Sequence, residues 1–330
     1  MRCLTLAGAM EDLGAAVVFL APPAVASVLA AFAKPKLRKI AAPGPDIDGL
    51  VAAGVAAAGD FDIIVFDHYG LGARDHRKIA AGRRVMVIDD LADRILGADL
   101  VLDSGPARRP SDYGGLTPPH ARLLIGPSFA PVRPEFADMR SLALARRAAG
   151  APLRRLLISL GLTDVGGLTG KIVQRLLPRL GEVAVDIVVG SGAPSLSVLQ
   201  DMAADDPRIV LHINSQAMAQ LTLDADAAIG AAGSTTWERC TLGLPTLQVI
   251  VADNQRAAAT AMAQAGASLV IDWRDGDFES EFDRAMARLL VDAELRQALS
   301  LRAAKLCDGE GAARVAEAAI TLATLESKTR

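Results

Sequence analysis

The sequence predicts an α/β protein of two doubly wound domains with parallel sheets, and three observations lead there. Short β-branched runs alternate with Ala-rich amphipathic segments along almost the whole chain, the pattern of strands buried between helix layers. The 330 residues are about twice the usual domain size. Finally, 51% hydrophobic residues come with only 8 Phe, 2 Trp and 2 Tyr, so the core must be aliphatic and the helices must meet the sheets on alanine faces.

The first element reads as a helix, because Cys3, Leu6, Ala7, Met10 and Leu13 recur at intervals of three and four and Gly14 sits where a helix would end. A doubly wound domain ordinarily opens on a central strand and a tight turn; the expectation is that this first strand and its loop are missing ahead of Met1. Leu13 to Ala33 then runs 21 residues without a charge, followed by Lys34, Lys36, Arg38 and Lys39. Its length suits a membrane span, but Pro22 and Pro23 divide it into a strand over 16–20, a turn and a helix over 24–33. Glu11 and Asp12 interrupt any signal peptide.

Further strands are expected over 63–66, 85–88, 156–159, 183–189, 225–229 and 246–251, and helices over 165–177, 216–221, 235–242, 255–265 and 278–290. Between Ser104 and Pro152 the alternation fades into a crowd of Pro and Gly ending in a basic helix, 137–149. That places a domain junction there: an N-terminal domain over 1–135, a linker over 136–152 and a C-terminal domain over 153–330.

With 35 Lys and Arg against 38 Asp and Glu, the net charge is -3 and no block of one sign occurs. Nucleic acid and stable membrane insertion are therefore not expected. Cys3, Cys240 and Cys307 are too few and scattered for a disulfide framework, which points to a reducing, cytoplasmic location. No Walker A or G-x-S-x-G motif occurs, and His68, His76, His120 and His212 lack zinc-ligand spacing, so neither metal nor cofactor is expected. His76 reads as a surface residue of a helix, and His212 as the end of a strand.

In open α/β sheets ligands bind beyond the carboxyl ends of the strands. After the strand ending at Phe66 come Asp67, His68, Tyr69 and Gly70, a carboxylate, an imidazole and a phenol on one loop. After Ile88 comes Asp89-Asp90-Leu91-Ala92-Asp93, which reads as a helix-capping run rather than a metal cluster. The strongest site follows the strand over 225–229, where Gly230-Ala231-Ala232-Gly233-Ser234-Thr235 opens a helix. Small residues there admit a ligand to the backbone, and free N–H groups suit a diphosphate. Glu238 would accept ribose hydroxyls, or else complete a Thr235-x-x-Glu238 capping box. Asn254 and Gln255, after the strand over 246–251, could bond a sugar, and Thr163 and Ser191 stand at two further strand ends.

On these residues the chain resembles the UDP-2,4-diacetamido-2,4,6-trideoxy-β-L-altropyranose hydrolases of pseudaminic acid biosynthesis, relatives of the glycosyltransferase that adds N-acetylglucosamine to peptidoglycan lipid intermediates. The resemblance runs from Met1-Arg2-Cys3 through Asp67-His68-Tyr69-Gly70, Ile88-Asp89-Asp90, Arg133-Pro134-Glu135-Phe136, Gly233-Ser234-Thr235 and Asn254-Gln255 to Asp308-Gly309-Glu310-Gly311. It implies a two-domain glycosyltransferase-B fold with UDP on the C-terminal domain and the sugar in the interdomain cleft. The implied reaction replaces UDP by water with inversion at the anomeric carbon, without a metal, in the pathway that decorates flagellin. By position, Glu238 would hold the ribose, Gly233 to Thr235 the diphosphate, and Asn254 and Gln255 the sugar or its phosphate. Tyr69, with Asp67 and His68, would lie on the catalytic side. The family's base is a His in a Gly-x-Gly-His turn just before the Met-Arg-Cys helix, and this chain begins at the Met. Leu162 replaces a common Gly and Phe129 a common Tyr. The competing readings are a glycosyltransferase of the same fold and a non-catalytic UDP-sugar-binding protein.

Overall fold

The computed structural model describes residues 1–33, 37–42, 44, 46–150 and 152–324. It divides into two compact units, Met1–Val132 with Glu310–Arg330, and Arg133–Gly309.

The first unit runs α1 (Arg2–Asp12), β1 (Val18–Ala21), α2 (Ala26–Phe32), β2 (Arg38–Ala41), α3 (Ile47–Ala57), β3 (Ile63–Phe66), α4 (Ala73–Ala80), β4 (Arg84–Ile88), β5 (Leu100–Asp103) and β6 (Arg122–Ile125). All pairings are parallel: β1 with β2, and β3 to β6 side by side in chain order. Alternate residues serve opposite faces of the larger sheet, as the two-residue strand period requires. Phe66, Val85, Val87 and Val101 pack with Leu50, Val51 and Ile79 of α3 and α4, while Met86, Ile88, Leu100 and Leu102 pack with Leu6 and Met10 of α1. The uncharged stretch after α1 folds as strand, 3-10 turn (Pro23–Val25) and helix. No described helix is long and apolar enough to cross a membrane. Lys34 and Lys36 of the basic run lie outside the described residues.

His76 is not a surface residue. It lies on the buried stripe of α4 with Ala73, Ile79 and Ala80, its ring 4.5 Å from that of Phe66, and its Nδ1 accepts from the Gly97 N–H at 3.3 Å. Burial pushes its pKa down to about 4, which keeps it neutral at physiological pH.

The second unit runs α5 (Pro134–Ala148), β7 (Arg155–Ser159), α6 (Leu168–Leu176), β8 (Ala184–Val189), α7 (Leu196–Asp205), β9 (Ile209–Ile213), α8 (Met218–Asp224), β10 (Ala227–Ala231), α9 (Thr235–Thr241), β11 (Thr246–Ile250), α10 (Arg256–Gln264), β12 (Leu269–Asp272), α11 (Phe278–Val291) and α12 (Ala293–Leu306). Its strands form one parallel sheet in the order β12-β11-β10-β7-β8-β9. Aliphatic side chains such as Leu156, Ile158, Ile187, Ile229, Leu247 and Val249 fill its core. His212 lies inside β9, its Nε2 2.8 Å from the Asp186 carboxylate on β8.

The chain divides at Arg133 and after Gly309 rather than at 135 and 152. Most of the expected linker is α5, which starts with Pro in its first turn and is bound into the second unit by Arg140, whose guanidinium donates to the carbonyls of Thr241, Ala304 and Cys307. The last helix, α13 (Gly311–Thr324), belongs to the first unit, where Val315, Ala316 and Ala319 pack with Leu6 and Met10. Gly311 permits that return: a Cβ there would lie 2.2 Å from the Ala130 carbonyl oxygen.

Candidate functional site

In the second unit the chain moves outward from β7 through β8 to β9 and then returns to lay β10 on the other side of β7. The switch point between β7 and β10 is where an open sheet of this kind opens a crevice at its carboxyl edge. The loops that follow β7 and β10 flank it.

The loop after β7 is shaped by left-handed residues at Gly161 (φ 102°), Asp164 (φ 43°), Gly166 (φ 61°) and Gly167 (φ 65°), whereas Leu162 stays outside that region. The Leu162 carbonyl accepts from the Gly190 N–H at 3.1 Å, and a Cβ at Gly190 would lie 2.3 Å from that oxygen. Asp164 is fully buried and accepts from the N–H groups of Thr169 (2.8 Å) and Ser195 (3.1 Å) and from the Ser195 hydroxyl. Burial alone would raise its pKa, but the Ser195 and Thr169 bonds outweigh that and hold it below the ordinary carboxylate range. Asp164 therefore ties the loops after β7 and β8 together, and Thr163 is carried, exposed, on the first of them.

The loop after β10 differs from its expected form in two ways. First, Gly230 is small because of what lies beneath it: a Cβ there would meet the Arg239 guanidinium carbon at 2.5 Å. Second, the capping box does not form. Ser234 occupies the N-cap of α9 without a side-chain cap bond, Thr235 Oγ1 accepts from Arg239 Nη1 at 3.0 Å, and Glu238 Oε1 accepts from Arg133 Nε at 2.8 Å. Glu238 is 8% exposed, and its second oxygen, Oε2, is buried with no hydrogen-bond partner among the described residues. For Arg133, burial acts to lower the pKa and the Glu238 carboxylate more than offsets it, so the net direction is up. Gly233 borders Gln255, whose Nε2 would lie 3.7 Å from a Cβ there; Gln255 Oε1 accepts from the Val251 N–H at 3.0 Å. Asn254 is exposed on the 3-10 turn Asp253–Gln255 after β11. The structure thus groups Gly233, Ser234, Thr235, Glu238, Asn254 and Gln255 on the ends of two adjacent strands, with Thr163 after the strand on the other side of β10.

In the first unit a second cluster stands at the carboxyl ends of β3 and β4. Arg2, at the start of α1, donates to both oxygens of Asp67 (2.6 and 3.0 Å) and to Asp90 Oδ2 (3.0 Å). Cys3 Sγ donates to Asp67 at 2.8 Å, and the Tyr69 hydroxyl donates to Asp90 Oδ2 at 3.0 Å. Burial works to raise the Asp67 pKa, yet the Arg2 bonds and charge bring it below the usual range, so Asp67 is an anchor held by Arg2 rather than a poised base. His68 turns its Nδ1 to the Gly70 N–H at 3.1 Å. Asp90 Oδ1 is buried without a partner among the described residues. Sequence reading took Asp90 for part of a helix-capping run and gave Arg2 no partner, and the available signal was an arginine at a helix start together with acidic strand ends.

The acidic run from Asp89 caps no helix, since 89–97 is irregular. Asp89 is 1% exposed and accepts from the Ala92 N–H, Arg94 Nη1 and the Tyr113 hydroxyl at 2.7 to 2.9 Å, which pins the loop instead. Among the described residues no group of three or more His, Cys, Asp or Glu has metal-holding geometry.

Two units of parallel sheet flanked by helices constitute the glycosyltransferase-B fold. Acinetobacter baumannii MurG superposes with a TM-score of 0.67, covering 97% of this chain and 95% of that one at 19% identity. The Os79 protein of O. sativa in complex with UDP gives a TM-score of 0.68, covering 97% of each chain at 14% identity. No protein-family model matches the chain. In sequence it is similar to the UDP-2,4-diacetamido-2,4,6-trideoxy-β-L-altropyranose hydrolase of Campylobacter jejuni, at 26% identity over 62% of this chain and 72% of that protein. The spore coat polysaccharide biosynthesis protein SpsG of Bacillus subtilis is 25% identical over 77% of this chain and 75% of its own length.

Proposed function

We propose that this chain is a UDP-sugar-processing enzyme that hydrolyses a UDP-linked diacetamido-trideoxy-hexose to the free sugar and UDP, the activity its Campylobacter relative is named for. Pseudaminic acid synthesis for flagellin glycosylation is the pathway this reading assigns. The observation that carries it is the buried Glu238 carboxylate at the end of β10, with one oxygen held by Arg133 and the other unpartnered. A buried acceptor left open in that way is expensive unless a ligand satisfies it. A ribose, with two adjacent hydroxyl donors, is such a ligand.

In this reading the nucleotide lies on the carboxyl edge of the second unit. Glu238 Oε2 accepts from the ribose, the small residues Gly233 to Thr235 receive the diphosphate, and the amides of Asn254 and Gln255 bond the sugar or its phosphate. Thr163 contributes a hydroxyl from the loop after β7. Water attacks the anomeric carbon on the face opposite UDP, the bond from that carbon to the phosphate oxygen breaks, and its electron pair leaves with UDP. UDP is a good leaving group, so the protein's main task is to orient the water and accept its proton. Tyr69, Asp67 and His68 belong to the sugar side. Within the first unit Asp67 fixes Arg2, and Asp90 holds the Tyr69 hydroxyl.

The second reading is glycosyl transfer to an acceptor other than water, supported by the fold shared with MurG. The two separate in one assay: release of UDP from the diacetamido-trideoxy-hexose nucleotide in buffer, with and without added acceptors. Turnover in buffer alone supports hydrolysis, and turnover only with an acceptor supports transfer. Saturable UDP binding without turnover in either case leaves a binding protein.

A further inference from the structure

The turn that carries the diphosphate in this reading is followed by α9, a helix of only seven residues (Thr235–Thr241). Such a short helix brings little dipole to bear on an anion. The stronger charge at this place is Arg239, 4% exposed and seated directly under the turn. Its Nη2 donates to the Ala231 carbonyl at 2.8 Å and to Thr236 Oγ1 at 3.2 Å, and its Nη1 donates to Thr235 Oγ1 at 3.0 Å. Every one of these acceptors is neutral. Among the described residues Nε is buried without a partner, and no carboxylate pairs with this guanidinium: Glu238, its sequence neighbour, is bonded to Arg133. The room for the group is built in at Gly230, since any side chain there would strike it.

A buried, charged guanidinium with no counter-ion is costly, and an anion bound on the turn above it would offset that cost. Burial lowers the Arg239 pKa to about 10, with the neighbouring Cys240 and Glu238 acting weakly in the other direction. The group remains charged at neutral pH.

We propose that Arg239 is a positioning residue for the diphosphate, supplying from beneath the turn the positive charge that selects an anionic ligand and holding Thr235 Oγ1 and the Ala231 carbonyl in the shape that receives it. The proposal rests on the nucleotide reading of the previous section for the identity of the ligand, and it deepens that reading by naming the source of its charge selectivity. Acting through the loop, Arg239 contributes to every phosphate-bearing ligand and leaves recognition of the nucleoside to Glu238.

The test uses the intact chain with UDP, uridine and inorganic pyrophosphate as probes, measured by calorimetry for the unaltered protein, Arg239→Met and Arg239→Lys. An unscreened charge near a diphosphate in a partly buried site is worth about tenfold or more in affinity. Arg239→Met is therefore expected to weaken UDP and pyrophosphate by at least that factor while leaving uridine unchanged, and Arg239→Lys to keep most of the affinity. Should Arg239→Met not fold, Gly230→Ala displaces the guanidinium instead of removing it, with the same expected loss for the two anions alone. Equal losses for UDP and uridine would reduce Arg239 to a structural strut and overturn the proposal, as would unchanged UDP affinity. If the unaltered protein binds pyrophosphate but not UDP or uridine, the nucleotide reading fails and the charge assignment stands or falls on whether Arg239→Met abolishes pyrophosphate binding. No pyrophosphate binding in any form overturns it.

Discussion

The two carboxyl edges carry the same device with opposite charge excess. In the first unit one arginine, Arg2, serves two carboxylates, Asp67 and Asp90, and Asp90 keeps one oxygen open. In the second unit Arg133 holds one inward carboxylate, Glu238, which also keeps one oxygen open, while Arg239 bonds the neighbouring turn without a carboxylate; Glu135, half-buried, lies 3.6 Å from Arg133. An acidic edge suits hydroxyl groups and a departing proton, and a basic edge suits phosphate. The difference lies in the charge beside each open oxygen, a second carboxylate in the first unit and an arginine in the second.

The comparison breaks most visibly at Arg133. Arg133→Ala strands the Glu238 carboxylate in a buried place, and the expected cost is about 3–5 kcal/mol of stability, read as a lower denaturation midpoint for the second unit. Glu238→Gln in the same background should restore much of it, and a double-mutant cycle with no coupling would contradict the pairing.

Acid probes the first unit through two groups whose folded pKa values are depressed, His76 and Asp67. His76 has its folded pKa depressed to about 4, so between the unfolded value of about 6.5 and that value the unfolded chain binds the extra proton and stability falls as pH falls. The full effect is about 3 kcal/mol. Asp67 acts at lower pH: its depressed pKa contributes stability above the unfolded carboxylate value, lost as pH drops through the folded one. Chemical denaturation at pH 7, 5.5 and 4.5 should show the loss, and His76→Phe should flatten it. A pH-independent first unit would contradict both shifts.

Two smaller effects follow. Asp164→Asn removes acceptor capacity from three bonds, two of them between the loops after β7 and β8, and should cost about 1–3 kcal/mol, with UDP affinity falling because Thr163 loses its support. Tyr69→Phe deletes one hydroxyl bonded to Asp90 at a half-exposed position, so stability should change by at most about 1 kcal/mol. Turnover of the UDP-sugar should fall by a larger factor, and full activity in the variant would take Tyr69 out of the reaction.

Much of the fold was legible because runs dense in β-branched residues announce themselves. Ile63–Phe66 falls on its expected residues and Thr246–Ile250 within one residue of them. The strand expected over 225–229 is Ala227–Ala231, for a run of Ala and Gly has no β-branched edge to mark its start, and Asp226 sets it by bonding the N–H groups of Arg154 and Arg155. Leu100–Asp103 and Arg122–Ile125, with one β-branched residue each, escaped notice in Pro- and Gly-rich surroundings. The return of α13 to the first unit was hidden because its Ala-rich face suits any sheet, and the contacts that select one, Gly311 on Ala130 and Val315 with Leu6 and Met10, are distant in sequence. At the site, residue types at strand ends were readable, but their partners were not. Thr235 and Glu238 fit a capping box in sequence, but Arg239, one turn on in the same helix, claims Thr235, and the distant Arg133 claims Glu238.

The central claim, that Glu238 with its open oxygen is a nucleotide-binding carboxylate, meets its most direct test in calorimetric titration of UDP into the intact chain and its Glu238→Gln variant, with thermal denaturation of both. The account predicts saturable UDP binding that the substitution weakens by about 1–3 kcal/mol, the worth of charge-assisted bonds to the ribose, together with a variant whose fold and unit boundaries are unchanged. Equal UDP affinity in the two proteins, with only the melting temperature lowered, would make Glu238 a structural partner of Arg133 and contradict the claim.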